Sequence, residues 1–89
     1  MQKAGKHLSG TLSDNGSAEM VLTNEGVYTV CINATDAPLR LTINNNDYGV
    51  FSGFEVIPIG YLSGNNQQVL KVANETNAPA AFHLWTVLT

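Results

Sequence analysis

Charge is what this 89-residue sequence has least of. Lys, Arg, Asp and Glu together make up 12% of the chain, about half of the ~25% usual in globular domains. Only four of these residues are basic and the formal charge is -3. The clustered cations that neutralise phosphates are missing, which argues against nucleic acid as a partner. A single cysteine, Cys31, excludes an intramolecular disulfide and a thiolate metal cluster, leaving the role of a small buried apolar residue. No apolar run approaches the length of a membrane span, and the first residues lack the apolar stretch of a secretory leader. Synthesis in the cytoplasm, without export by the usual route and without a membrane partner, is therefore expected. Three Asn-X-Ser/Thr sequons, at Asn15, Asn33 and Asn74, then read as coincidences of composition.

Catalytic patterns are missing as well. The sequence holds no Gly-X-Ser-X-Gly elbow, no His-Glu-X-X-His, no phosphate-binding glycine loop and no dinucleotide fingerprint. His7 and His83, the two residues able to act as bases near neutrality, lie outside any such motif. Carboxylates are present in number, but Asp14, Glu25, Asp36, Asp47 and Glu75 stand in or beside turns, where capping accounts for them. The oxygen-rich stretches Asp14-Asn15-Gly16 and Asn44 to Asp47 do not match the twelve-residue calcium loop. No catalytic, cofactor-binding or metal-ligating residue is assigned, and the chain reads as a non-enzyme.

What is abundant is asparagine and threonine, ten and eight residues, which suit turns and exposed strand faces. Helical spacing of apolar residues is absent, whereas alternation of period two recurs from end to end. Leu39, Leu41 and Ile43 alternate with Arg40, Thr42 and Asn44. Near the end, Phe82, Leu84, Thr86 and Leu88 alternate with His83, Trp85 and Val87. Counting such runs gives about eight short strands: 6–12, 18–23, 27–33, 39–44, 48–52, 54–62, 67–73 and 80–88. Turn signals separate them at Asp14 to Gly16, Asn24 to Gly26, Asp36 to Pro38, Asn44 to Asp47, Ser63 to Asn66 and Asn74 to Pro79. Asn24-Glu25-Gly26 is a hairpin candidate. The expected fold is all-β, a compact two-sheet β-sandwich of jelly-roll type, with an immunoglobulin-like sandwich as the runner-up.

Two features point to self-assembly. Pro58 interrupts the apolar run Val56-Ile57-Pro58-Ile59, so that run is expected on a sheet edge or at a bulge, because proline cannot donate to the ladder. On the last strand, His83, Trp85 and Val87 share one face and Phe82, Leu84 and Leu88 the other. Two apolar faces imply burial on both sides, one in the core and one against a partner subunit or ligand. A domain of this size buries only about 60 to 65% of the surface of its unfolded chain, so partner subunits matter to its stability. Lys3 and Lys6, with His7, make residues 1–7 a short basic arm ahead of a single domain over 8–89. The arm reads either as a solvated terminus or as a segment docking on an acidic neighbour. The expected interface set is Lys3, Lys6, Pro58, His83, Trp85 and Val87.

Low charge, Asn- and Thr-rich turns, the basic arm and the closing apolar run Phe82-His83-Leu84-Trp85-Thr86-Val87-Leu88 together resemble small all-β accessory proteins of bacteriophage virions, namely capsid decoration (cement) proteins and fibre heads. The resemblance implies a non-catalytic homotrimer that binds the major capsid protein or another virion protein and stabilises the head. The rival reading is a carbohydrate-binding or receptor-binding module, in which Trp85, Tyr28, Tyr48 or Tyr61 would stack on a glycan.

Overall fold

The computed structural model describes residues 3–63 and 67–89, with side chains from residue 5 onward. The turn expected over residues 63–66 therefore lies mostly outside the described residues, as does the side chain of Lys3. Among the described residues the regular structure is all strand: β1 (Lys3–Leu12), β2 (Ser17–Leu22), β3 (Gly26–Ile43), β4 (Asn46–Leu62), β5 (Gln68–Asn74) and β6 (Ala80–Leu88).

β3 organises the rest. Its first half pairs with β6, from Tyr28 opposite Leu88 to Asn33 opposite His83, and its second half pairs on the same side with β5, from Leu39 opposite Asn74 to Ile43 opposite Leu70. β4 follows the other side of β3 along both halves. β1 then lies outside β6, and β2 outside β5. The result is an antiparallel sheet in the order β1-β6-β3-β5-β2, with β4 also on β3. The sheet turns over where β3 changes neighbour, and its two halves close on one apolar cluster.

The alternation in the sequence is the cause. Val30, Ile32, Leu39, Leu41, Leu70, Val72 and Leu84 all point inward and are fully buried, each stabilising the fold by about 1.5–3 kcal/mol relative to exposure. Slipping any of these strands by one residue would turn its whole apolar set outward, so the registers are strongly specified.

Two stretches read as turns are built differently. Asp36-Ala37-Pro38 does not end a strand: between Ala34 opposite Gly53 and Leu39 opposite Phe51, β3 carries three more residues than β4, and the excess is absorbed as a bulge at the fold in the sheet. Segments 27–33 and 39–44 are thus one strand, as are 48–52 and 54–62, so the eight expected runs become six continuous strands. Asn24-Glu25-Gly26 is not a hairpin, because β2 and β3 have no ladder with each other. It carries the chain from one half of the sheet to the other, and the Tyr28 hydroxyl donates to the Asn24 carbonyl at 2.6 Å to fasten it. Residues 3–7, expected as an arm, form the first half of β1 and pair with β6.

The β3–β4 turn meets its expectation. Asn44 and Asn45 adopt φ of 52° and 67° between Ile43 and Asn46, which are directly paired. Two consecutive left-handed residues make the type I′ turn whose twist matches that of a hairpin, and asparagine tolerates this conformation best after glycine. β4 has one extra residue at Tyr48 and another at Ile59. The glycine after each, Gly49 and Gly60, takes a positive φ of 104° and 102° that a side chain would resist.

At the opposite end, the β1–β2 and β5–β6 connections cross between the halves side by side and are tied by the buried Asn74. Its amide donates to the carbonyls of Ser13 at 3.1 Å and Ala78 at 2.8 Å, while its Oδ1 accepts from the backbone and hydroxyl of Thr76 at 3.0 and 2.6 Å. Asn74, read as part of a turn and of a coincidental sequon, is 1% exposed and fully bonded.

Candidate interaction face

The outward faces of the two halves differ in chemistry. On the half containing β2 and β5, Glu19, Lys71 and Arg40 project outward, Lys71 and Arg40 each between buried neighbours on its strand. Arg40 donates to Asp47 Oδ2 at 2.6 Å and to Glu75 Oε2 at 3.0 Å. Of the carboxylates expected to cap turns, Asp47 does so, its Oδ1 accepting from the Gly49 N–H at 2.8 Å, whereas Asp36 Oδ2 accepts from the Ala81 N–H at 3.0 Å at the start of β6.

The half containing β1 and β6 is different. Cross-strand partners share a face, so the registers place the outward side chains in rows. His83 lies beside Asn33, which lies beside Phe54. Trp85 lies beside Cys31, which lies beside Val56. Val87 lies beside Thr29, which lies beside Pro58. None of these nine is charged. Val27 and Tyr61 extend the surface by one more row. Phe54, Val56 and Tyr61 are more than half exposed, at 58%, 55% and 61%, and Val27 is nearly so. Among the described residues β4 pairs only with β3, so this apolar row lies along a free sheet edge, the kind of edge that natural proteins ordinarily blunt with charge or cover with another chain.

Pro58 is exposed on that edge, beside the bulge at Ile59, where the loss of a backbone donor is tolerated. His83, Trp85 and Val87 fall on one outward face, and Pro58 joins the Val87 row through Thr29. Lys6 stands apart, exposed in β1, with its N–H donating to Thr86 Oγ1 at 2.9 Å. Tyr28, considered above as a sugar-stacking residue, is a core residue only 3% exposed and cannot serve so.

The rings form a continuous chain. His7 and His83 centroids are 5.4 Å apart, His83 and Trp85 4.8 Å, and Trp85 and Phe54 5.8 Å. His7 Nδ1 and His83 Nε2 approach to 3.2 Å. A bulge brings His7 into line. β1 pairs Ala4 with Val87 and then His7 with Trp85, one residue too many for a regular ladder. Without it Lys6 would stand opposite Trp85 and His7 would turn inward. The bulge depends on Gly5, where a Cβ would collide with Thr86 Oγ1 and come within 2.7 Å of the Thr86 carbonyl oxygen.

Beside the rings lies a shallow depression of about 230 Å³ between Asn33, Thr35, Ala81, Phe82 and His83. Asn33 Oδ1 is buried there without a hydrogen-bond partner, a condition that costs about 1–3 kcal/mol unless something docks on it. Burial pushes the Cys31 thiol up, which makes it a poor nucleophile. Desolvation, with the hydrogen bond and charge of Glu25, raises the Tyr61 phenol.

Phe54, Val56, Val27, Cys31 and His7 were absent from the expected interface set. A signal for the first two was present, since Phe54, Val56 and Pro58 alternate in one run. His7 had none, because nothing in a sequence counts a bulge residue.

No known protein family matches the chain, and no curated protein is similar to it in sequence. Its fold is similar to that of a de novo designed double-stranded beta-helix solved by NMR, with 14% identity, 91% of this chain and 97% of the other covered, and a TM-score of 0.66. It is also similar to the Yersinia pseudotuberculosis-derived mitogen, with 14% identity, 100% and 88% coverage, and a TM-score of 0.67. At such identity the likeness concerns the fold alone.

Proposed function

We propose that this protein is a non-catalytic jelly-roll sandwich that works by docking: copies associate, as a trimer, through the largely apolar outward face of β1, β6, β3 and β4, and the assembly coats a virion as bacteriophage decoration proteins do. The jelly-roll reading rests on pairing order. One half contains β1, β6, the start of β3 and the end of β4; the other contains β2, β5, the end of β3 and the start of β4. Early and late segments alternate across each half, as expected of a chain rolled up around its own hairpin. The observation that carries the docking reading is the row of exposed Phe54, Val56 and Tyr61 along a free edge, continuous with Trp85 and Val87. Burying such a face excludes water from a large apolar area, and the charged opposite half stays in solvent.

Light scattering coupled to size exclusion tests the proposal. A trimer that persists at low micromolar concentration and is reduced to monomer by Val56→Asp supports it. A wild-type monomer at every concentration overturns it.

A glycan- or receptor-binding module is the second reading, favoured by the unpartnered Asn33 Oδ1 near the half-buried Trp85 ring. An aromatic plane with adjacent hydrogen-bonding groups is what a sugar ring needs. Loss of glycan binding by Trp85→Ala, with the native mass unchanged, would favour it over the assembly reading.

A further inference from the structure

We infer that His7 and His83 form a bidentate site for a divalent transition metal, zinc or nickel, on the outward face beside Trp85. The two rings come from neighbouring hydrogen-bonded strands, β1 and β6, and both are exposed. Nδ1 of His7 lies 3.2 Å from Nε2 of His83, with the ring planes 30° apart. Two imidazole nitrogens can share that spacing in two ways. One of them donates a proton to the other, or both direct lone pairs at a common cation. With metal–nitrogen bonds of about 2.0–2.1 Å, two vertices of a tetrahedral zinc site are about 3.3–3.4 Å apart. The observed separation differs from that by a few tenths of an ångström, within reach of small ring rotations.

Three further observations support the site. The bulge at Gly5 and Lys6 replaces a lysine by a histidine opposite Trp85, and bulges recur where a side chain has to be re-aimed for function. No carboxylate among the described residues is bonded to either ring, so no anionic side chain competes with a metal ion for them. The backbones of both ligands lie in a ladder, so little ordering is needed on binding. Neutral imidazoles select borderline metals such as zinc, nickel and copper over calcium or magnesium, which require oxygen. No cluster of three or more His, Cys, Asp or Glu is placed to hold a metal among the described residues. The chain thus supplies two ligands, and water or an atom of a docked partner completes the shell.

Trp85 gives the site its own readout, because it is the one tryptophan in the sequence and its ring is 4.8 Å from that of His83. Untagged protein is titrated with nickel(II) chloride while tryptophan fluorescence is followed, and zinc(II) chloride is then added as a competitor. The expected result is saturable quenching by nickel, reversed by zinc. His7→Asn and His83→Asn should each weaken binding at least about tenfold, since a second tethered ligand acts at high effective concentration. Cys31→Ser should leave it unchanged. Both histidines are exposed, so the variants fold, which a thermal melt checks. Zinc should also raise the melting temperature of wild type and not of either histidine variant. Quenching that fails to saturate at millimolar nickel, or that survives both substitutions, overturns the inference, as does loss of binding in Cys31→Ser alone.

Discussion

Asn74 donates a hydrogen bond from its side-chain amide to the main-chain carbonyl of Ser13, 61 positions earlier, at 3.1 Å. Together with its bonds to Ala78 and Thr76, this makes one buried amide the joint between two connections. Asn74→Ala leaves the Ser13 and Ala78 carbonyls without this donor. The expected cost is about 2–4 kcal/mol, because four hydrogen bonds made by one buried amide are lost together. A urea unfolding curve measures it, and a loss below 1 kcal/mol would show that the joint is dispensable.

Phe54 is 58% exposed, so removing it should barely disturb the monomer. For Phe54→Ser at high dilution we expect a change in unfolding free energy within about 0.5 kcal/mol. The same variant should shift the native mass at micromolar concentration toward monomer, since the exposed ring is part of the proposed contact. Equal loss of mass and of fold stability would argue that Phe54 supports the fold and not an interface.

Tyr28 and Cys31 set an alkaline limit. Burial pushes both the Tyr28 phenol and the Cys31 thiol up. Both folded values lie above the unfolded ones, so the fold favours the neutral forms. Their contribution is fully present below the unfolded values, about 8.5 for cysteine and about 10 for tyrosine, and is lost as pH rises through the folded values. The melting temperature should therefore hold near pH 8 and fall above about pH 9. Tyr28→Phe, although less stable overall, should show a shallower decline, and an identical slope in both proteins would remove Tyr28 as a cause.

At the β3–β4 turn, Asn45 holds a φ of 67°. Asn45→Ala should cost about 1 kcal/mol, the penalty of a left-handed residue with an ordinary side chain, whereas Asn45→Gly should be neutral or slightly stabilising. Paired thermal melts of the two variants decide the point. The opposite order would mean that side-chain contacts, and not backbone conformation, select asparagine there.

The legible part of this structure was the part governed by nearest neighbours. Alternation at Leu39, Leu41 and Ile43 marked an inward face, and the same rule separated Phe82 and Leu84 from His83 and Trp85 before any pairing was known. Pro58 announced an edge or a bulge by its missing donor and sits at both. Strand boundaries were read less well. Asp36-Ala37-Pro38 has turn chemistry, and a bulge that folds a sheet uses the same residues as a turn that ends a strand.

By itself the sequence determined that the chain is all β, which residues point inward on each strand, and that its surface carries little charge. These follow from side-chain chemistry at period two, which needs no knowledge of partners. Only the tertiary structure decided that β3 serves two different neighbours, that Asn24 to Gly26 crosses between halves, that Asn74 is buried, and that His7 stands beside His83. Each of those depends on pairing residues far apart in the chain and on where an extra residue is accommodated. That choice is made by burial and loop closure acting on the whole molecule, so no local stretch of sequence contains it.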